Sequence, residues 1–167
     1  MKSLPRVGVF SIDVLVNTVN EKLVFIPGVA DLLLSVIRDD MHVAIATNMT
    51  ALRAEEALVT LDAQFVALGA PSARGVILVI CNVHTLNLSN GIQHAMAFAN
   101  TRSFHDVMVI GQHYKIDLAA ADTLGCRLAL FANGTTPAKQ IQHMTRHPRG
   151  FVAYRLEDIY SSLLTPL

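Results

Sequence analysis

Val7-Gly8-Val9-Phe10-Ser11-Ile12-Asp13, near the start of the chain, joins an unbroken apolar run to a polar turn. A continuous apolar run of this kind is typical of a strand that is buried on both faces of a parallel sheet. Helices must cover both faces of such a sheet, because each face presents apolar side chains. The stretch therefore predicts an α/β fold, with Ser11 and Asp13 at the carboxyl end of a buried strand.

Short apolar runs alternate with helical patterns along the rest of the chain, and this order is typical of βαβ units. We predict a doubly wound, mostly parallel Rossmann-like sheet with helices on both faces, in a single α/β domain over residues 1–167. Further strands are predicted at residues 42–46, 64–68, 75–81, 106–110, 127–131 and 151–153. Helices are predicted at residues 28–38, 51–61, 92–100, 117–124 and 156–164. Residues 82–91 are predicted to be a polar loop, and residues 139–150 form a further polar segment.

The composition is apolar and electrically balanced. Hydrophobic residues make up 52% of the chain and charged residues 16%, with 13 Lys+Arg against 13 Asp+Glu. Without a basic excess, we expect no binding to nucleic acid. Few charges on an apolar chain also favour a surface covered by a protein partner or by a second copy in a homo-oligomer. The alternative is a large core with an ordinary surface.

The apolar runs are short, and none approaches the roughly 20 residues that a membrane span needs. The start of the chain, Met1 to Arg6, is polar, and no apolar core of a secretion signal follows it, because Ser11 and Asp13 interrupt the apolar stretch. Cys81 and Cys126 have no metal-binding spacing and are expected to be buried free thiols in a reducing compartment. We therefore expect a cytoplasmic protein with no membrane insertion.

Ligands of open α/β sheets bind at the carboxyl ends of the strands, so the residues that follow each predicted strand are the candidate site. They are Ser11, Asp13, Thr47, Asn48, the segment 82–91, Gly111, Gln112 and His113. His113 is interpreted either as a ligand or base of this site or as a surface histidine. His143 and His147 have a spacing that suits a metal on one helix face, and a solvated face is the alternative.

Three of these segments together resemble the motifs of the haloacid dehalogenase-like (HAD) phosphohydrolases. Phe10 to Leu15 is similar to the first motif, in which a strand ends in aspartate-any-aspartate. Ala46-Thr47-Asn48 is similar to the Thr-Asn form of the second motif, and Val109 to Asp117 to the fourth. The resemblance implies an HAD-like fold. The roughly 14 residues between Asp13 and Gly28 leave room for little or no cap domain.

The chain departs from this family at the positions that carry its chemistry. The family's nucleophilic aspartate is replaced by Ser11, and its second metal-binding carboxylate by Gln112. The phosphate-binding lysine of the third motif aligns with Ile92. Asp13 keeps the acid/base position, and Asp117 keeps the distal acidic position. The resemblance therefore implies a vestigial site made of Ser11, Asp13, Thr47, Asn48, Gln112 and Asp117.

These replacements predict a catalytically inactive HAD-like protein that works as a binding, scaffold or regulatory subunit. One alternative is an HAD-type phosphatase or hydrolase with an atypical site, in which Asp13 is the catalytic residue. The other is a phosphate-ligand sensor that holds an anion through Ser11, Thr47 and Asn48, unless these residues only form and cap loops. No cofactor and no metal are expected. Mg²⁺ is the cofactor if activity remains, with Asp13 and Asp117 as its candidate ligands.

Overall fold

The computed structural model describes residues 3–83 and 87–167, and eight strands lie in them. Six of the strands form one sheet, with the order β5-β4-β1-β6-β7-β8 and every neighbouring pair parallel. The two others, β2 and β3, form a separate antiparallel hairpin. The strands are β1 Val7–Ser11, β2 Val16–Val19, β3 Lys22–Phe25, β4 His42–Ala46, β5 Ile77–Ile80, β6 Val107–Gly111, β7 Arg127–Phe131 and β8 Gly150–Ala153.

Helices cover both faces of the sheet. They are α1 Ile12–Leu15, α2 Val29–Arg38, α3 Ala51–Ala67, α4 Leu88–Phe98, α5 Ala119–Leu124, α6 Ala138–Arg146 and α7 Leu156–Leu163, with a π-helical turn at Tyr114–Leu118 and short 3-10 turns at Ala73–Gly75 and Phe104–Asp106. No helix in the described part of the chain is both long and apolar enough to cross a membrane. The predicted doubly wound α/β class is confirmed.

The apolar core has two parts because side chains along each strand alternate between the two faces of the sheet. On β1, Phe10 belongs to the cluster under α2, α3 and α7, whereas Val9 belongs to the cluster under α4, α5 and α6. Both side chains are fully buried. This arrangement places β1 in the middle of the sheet and brings the turn that follows it to the carboxyl edge.

The hairpin formed by β2 and β3 occupies the short segment for which no large cap was expected. Its turn is made by Asn20 and Glu21, which both have positive φ angles, of 50° and 63°. Two successive residues of this kind are typical of the tight turn that suits the twist of a two-stranded hairpin. The segment between Asp13 and Gly28 therefore adds only this hairpin to the mouth of the sheet.

Two of the predicted elements are wrong. Residues 64–68, predicted as a strand, end the long helix α3 instead, because Phe65 lies one turn after Leu61 and both are fully buried on the same face. The predicted loop at 82–91 contains the start of α4, which begins at Leu88 after an Asn87 cap. Residues 84–86, including His84, lie outside the described residues.

Arg127 is buried at the amino end of β7, on the opposite edge of the sheet from the predicted site. Its side chain is 1% exposed. Its Nε donates to the His105 carbonyl at 2.7 Å, and its Nη2 donates to the Ser3 carbonyl at 2.6 Å. Within the described residues, Nη1 has no hydrogen-bond partner. Burial lowers the pKa of Arg127, and the nearby Asp106 carboxylate opposes that shift. The guanidinium thus joins the start of the chain to the base of the sheet.

Candidate functional site

A cleft of about 450 Å³ opens at the carboxyl edge of the sheet. Five of the six predicted site residues line it, namely Ser11, Asp13, Thr47, Asn48 and Asp117. The remaining wall is made by Val9, Ile12, Ala46, Val83, Asn87, Leu88, Val109, Ile116 and Ala120. The topology explains the gathering, because β4, β1 and β6 are neighbours and their carboxyl ends meet at this edge.

Gln112, the sixth predicted residue, is not among the lining residues but is bonded to one of them. Its side-chain Nε2 donates a hydrogen bond of 2.9 Å to the backbone carbonyl of Asp13. This contact ties the turn after β1 to the loop after β6, across 99 positions of sequence. A neutral amide group therefore bridges the two turns that carry Ser11 and Gln112.

Asp117 shapes the loop between β6 and the π-helical turn. Its Oδ2 accepts hydrogen bonds from the backbone N–H groups of Gln112 and His113, both at 2.9 Å. The side chain lies directly over Gly111, where an added Cβ would meet the Asp117 Cβ and lie 2.9 Å from Oδ2. The carboxylate and the glycine therefore fix this loop together. His113 itself is exposed and is not among the residues that line the cleft.

Replacing Gly111 by alanine is expected to lower the free energy of unfolding by about 1–3 kcal/mol, since the new methyl group must displace Asp117. Urea denaturation measures the change. Gly134→Ala is the matched control, because a Cβ at Gly134 meets no atom within 4 Å. We expect the control to stay within about 0.5 kcal/mol of the unmodified protein. Equal stability of the two variants would contradict this account of the loop.

On the other side of the cleft, the loop after β4 and the start of α4 are also held by hydrogen bonds from their backbone N–H groups to their own side chains. Thr47 is 2% exposed, and its Oγ1 accepts a hydrogen bond from the Met49 N–H at 3.1 Å. At the start of α4, the Asn87 Oδ1 accepts from the Ser89 N–H at 3.0 Å. Sequence reasoning placed Asn87 only within a loop. Its signal is an asparagine directly before an apolar residue, which is a typical helix cap.

The cleft offers a divalent cation one carboxylate, Asp13, that accepts no hydrogen bond within the described residues. Mg²⁺ requires oxygen ligands in near-octahedral geometry and is usually bound through one or two carboxylates together with several waters. The described residues contain no group of three or more His, Cys, Asp or Glu side chains that suits a metal. Of the two candidate ligands, Asp117 already uses one oxygen on the backbone. Gln112 turns an N–H donor, rather than an oxygen, toward the Asp13 carbonyl.

A separate polar network joins α5 to the segment that follows α6, and none of its residues lines the cleft. Asp122 accepts hydrogen bonds from the Tyr114 hydroxyl at 2.5 Å and from Arg149 Nη2 at 2.9 Å, and it lies 2.9 Å from His147 Nε2. His147 Nδ1 accepts from the Arg149 N–H. His143 and His147, which the sequence offers together as a metal site, therefore differ in their surroundings. Both nitrogens of His147 are used in this network, and its ring centre lies 5.8 Å from that of His143.

The network predicts that Tyr114 ionises at a higher pH than an ordinary tyrosine. The hydrogen bond to Asp122, together with burial, raises the pKa of Tyr114 to about 12 from 10.0. Because the folded pKa is raised, the stabilisation is complete below pH 10 and is lost as the pH rises through about 12. Absorbance at alkaline pH measures the step, and Tyr114→Phe is expected to remove it and to cost about 1 kcal/mol. An unchanged titration in that variant would contradict the assignment.

Compared by sequence, the chain matches no protein-family model and no curated protein. Compared by structure, it is similar to D,D-heptose 1,7-bisphosphate phosphatase from B. bronchiseptica, solved with magnesium and phosphate, with a TM-score of 0.71 and 16% identity over 95% of this chain and 98% of that one. The D,D-heptose 1,7-bisphosphate phosphatase from Burkholderia thailandensis is similar with a TM-score of 0.66 and 16% identity, over 96% of this chain and 99% of that one. The cobalt-bound deoxy-D-mannose-octulosonate 8-phosphate phosphatase from Haemophilus influenzae is similar with a TM-score of 0.62 and 11% identity, over 96% of this chain and 87% of that one. The chain has the haloacid dehalogenase-like fold.

In this haloacid dehalogenase-like fold, the predicted site residues meet at the carboxyl edge of the sheet, where the resemblance had located the first, second and fourth motifs. The similarity is confirmed for the fold. The assignment of individual roles to Ser11, Asp13 and Gln112 stays a prediction. The single-domain boundary at residues 1–167 also stays a prediction.

Proposed function

We propose that this haloacid dehalogenase-like protein does not hydrolyse phosphate esters and acts instead as a binding, scaffold or regulatory subunit. The observation that supports the proposal is the hydrogen bond from the Gln112 amide to the Asp13 carbonyl. An amide in that place brings no negative charge, and its donor occupies an oxygen of the neighbouring turn. Phosphoryl transfer relies on neutralising the charge of the phosphate, and at this position no carboxylate is present to hold a cation for that purpose.

The residue at the nucleophile position supports the same proposal. An aspartate forms an acyl phosphate that water cleaves readily, whereas Ser11 would form a phosphate monoester, which is far more inert. Loss of the nucleophile alone typically costs several orders of magnitude in rate. Ile92, at the third-motif position, is fully buried in the core and offers no charge to a phosphate.

The alternative is a phosphatase that acts through Asp13. Its support is that Asp13 lines the cleft and is exposed, and that its carboxylate accepts no hydrogen bond from the described residues. The similar heptose bisphosphate phosphatase was solved with magnesium, so Mg²⁺ is the cofactor for this alternative.

The binding role we propose involves a protein partner or a second copy, in the cytoplasm. Exposed apolar residues on α3, such as Leu52 and Val66, support a covered surface.

A phosphatase assay separates the two functions. We expect no turnover of aryl or sugar phosphates with Mg²⁺ above the rate of an Asp13→Asn control, because no carboxylate nucleophile is present. The control keeps the size and polarity of the side chain and removes only its charge. Robust Mg²⁺-dependent turnover that disappears in Asp13→Asn would replace the binding role by the phosphatase.

A further inference from the structure

A second concave surface, of about 450 Å³, lies beside α6, and we call it the basic groove. Its described lining contains two permanent cations, two histidines and no acidic residue, and consists of Lys139, Gln142, His143, Arg146, His147 and Pro148. We propose that the basic groove binds an acidic segment of a protein partner through two carboxylates. This inference rests on the proposed binding function and names the chemistry of the partner.

The basic groove belongs to a long stretch of the chain without acidic residues. Between Asp122 and Glu157 the sequence carries no Asp or Glu, and its Lys and Arg residues are Arg127, Lys139, Arg146, Arg149 and Arg155. The whole chain is balanced, with 13 Lys+Arg against 13 Asp+Glu, so this segment concentrates positive charge. Asp122 itself is already engaged by His147 and Arg149. The segment therefore has no acid of its own to neutralise the groove.

Lys139 lies where the helix itself disfavours a cation. It belongs to the first turn of α6, and this turn contains no acidic residue. The positive end of the helix dipole is at the first turn, so a cation there lowers stability unless an anion compensates it. In the described part of the chain, neither Lys139 nor Arg146 forms an ion pair. A local cost without a compensating contact inside the chain is typical of a functional residue.

The exposed side chains of the groove recur along one face of α6. Lys139, His143 and Arg146 follow each other at spacings of four and three residues, which places them on the same side of the helix. At ~1.5 Å per residue, Lys139 and Arg146 are about 10 Å apart along the helix axis. Two carboxylates three positions apart in an extended segment span the same length, at ~3.3 Å per residue. This separation suits two anionic groups on one chain better than a single phosphate.

The frame that carries these side chains is fixed before a partner binds. On the opposite face of α6, Met144 is fully buried, and a Cβ at Gly150 would lie 2.5 Å from its Sδ, so the helix packs directly against β8. The His143 ring packs edge-on against Tyr114, with ring centres 4.7 Å apart. His147 is held through both of its ring nitrogens. Binding therefore requires little ordering of the groove.

An acidic peptide fits the basic groove better than a nucleic acid does. The affinity for a nucleic acid depends on the number of phosphates that Lys and Arg neutralise along the strand. The groove supplies only Lys139 and Arg146 as permanent cations, and the chain as a whole has no basic excess for further contacts. A segment with two carboxylates needs no contact beyond the groove, and the Arg146 guanidinium can hold one of them by two parallel hydrogen bonds.

Titration with a labelled hexapeptide that carries two glutamates three positions apart tests the proposal. The same labelled peptide with glutamines in their place is its uncharged match. Fluorescence anisotropy measures the affinity, and the NMR amide resonances of Gln142 and His143 locate the binding. Saturable shifts are expected with the glutamate peptide and none with the glutamine peptide. Added salt should weaken the binding, since the charges of the groove are exposed to solvent.

Matched double variants separate the groove from the general charge of the protein. Lys139→Gln with Arg146→Gln should weaken the binding about tenfold, because two exposed ion pairs are lost. Lys22→Gln with Arg53→Gln makes the same two chemical changes at exposed positions outside the groove and should leave the affinity unchanged. An equal loss in the two double variants would contradict binding at the groove.

Three other results would also overturn the proposal. They are the absence of saturable binding by the glutamate peptide, tighter binding of inorganic phosphate or of a single-stranded oligonucleotide at the same resonances, and shifts of these resonances when the protein alone is diluted. The last result would make the occupant a second copy of this chain. Each of them is independent of phosphatase turnover, so a failure of the groove assignment is distinguishable from a failure of the proposed function.

Discussion

The Ser11→Asp, Gln112→Asp double variant is expected to bind Mg²⁺ about a hundredfold more tightly than the unmodified protein, at about tenfold for each added carboxylate. Two negative oxygen ligands would then stand beside Asp13 and Asp117 at the edge of the cleft. The change at Gln112 also removes the N–H that donates to the Asp13 carbonyl, and frees that oxygen. Calorimetric titration with MgCl₂ measures the affinity.

A matched control separates a built site from a simple increase in negative charge. Ser161→Asp with Gln142→Asp makes the same two chemical changes at exposed positions outside the cleft. This variant should gain little affinity, since solvent and salt screen isolated surface charges. If both double variants bind Mg²⁺ equally, the assignment of Ser11 and Gln112 to metal-binding positions is wrong.

Arg127→Ala is expected to lower the free energy of unfolding by about 3 kcal/mol or more. The substitution leaves a cavity under a side chain that is 1% exposed. It also leaves the carbonyls of His105 and Ser3 without their donor. Urea denaturation followed by circular dichroism measures the loss.

Two further variants divide the Arg127 effect into its causes. Arg127→Met keeps most of the volume and loses only the hydrogen bonds, so a loss of about 1–2 kcal/mol is expected. Arg146→Ala, at an exposed position of α6, should change stability by less than about 0.5 kcal/mol. A loss in Arg127→Ala no larger than that of the exposed control would show that the buried guanidinium does not hold the base of the sheet.

The sheet was predictable because each strand carries its own apolar run. Val7 to Phe10 and Val107 to Ile110 need no distant information, since strands buried on both faces read as continuous apolar segments. The longer helices were harder to delimit. The end of α3 carries Phe65 within a short apolar stretch that also suits a strand, and length alone distinguishes the two.

The site was predictable only in part. The strand-end rule locates Ser11, Thr47 and Asn48, because it depends on topology that the sequence pattern already contains. The contact between Gln112 and Asp13 joins positions 99 residues apart, and no local pattern encodes it. The same holds for Asp122, which Tyr114 reaches from the π-helical turn, and His147 and Arg149 from the segment after α6.

The two outermost strands of the sheet have a consequence for self-association. β5 and β8 each contain only four residues. An edge strand offers its unpaired backbone groups to any extended segment that approaches, and long, flat edges are the sites where β-rich aggregates begin. Edges this short limit such a foreign ladder to a few hydrogen bonds, so fibril-like growth from the folded state has little to start from.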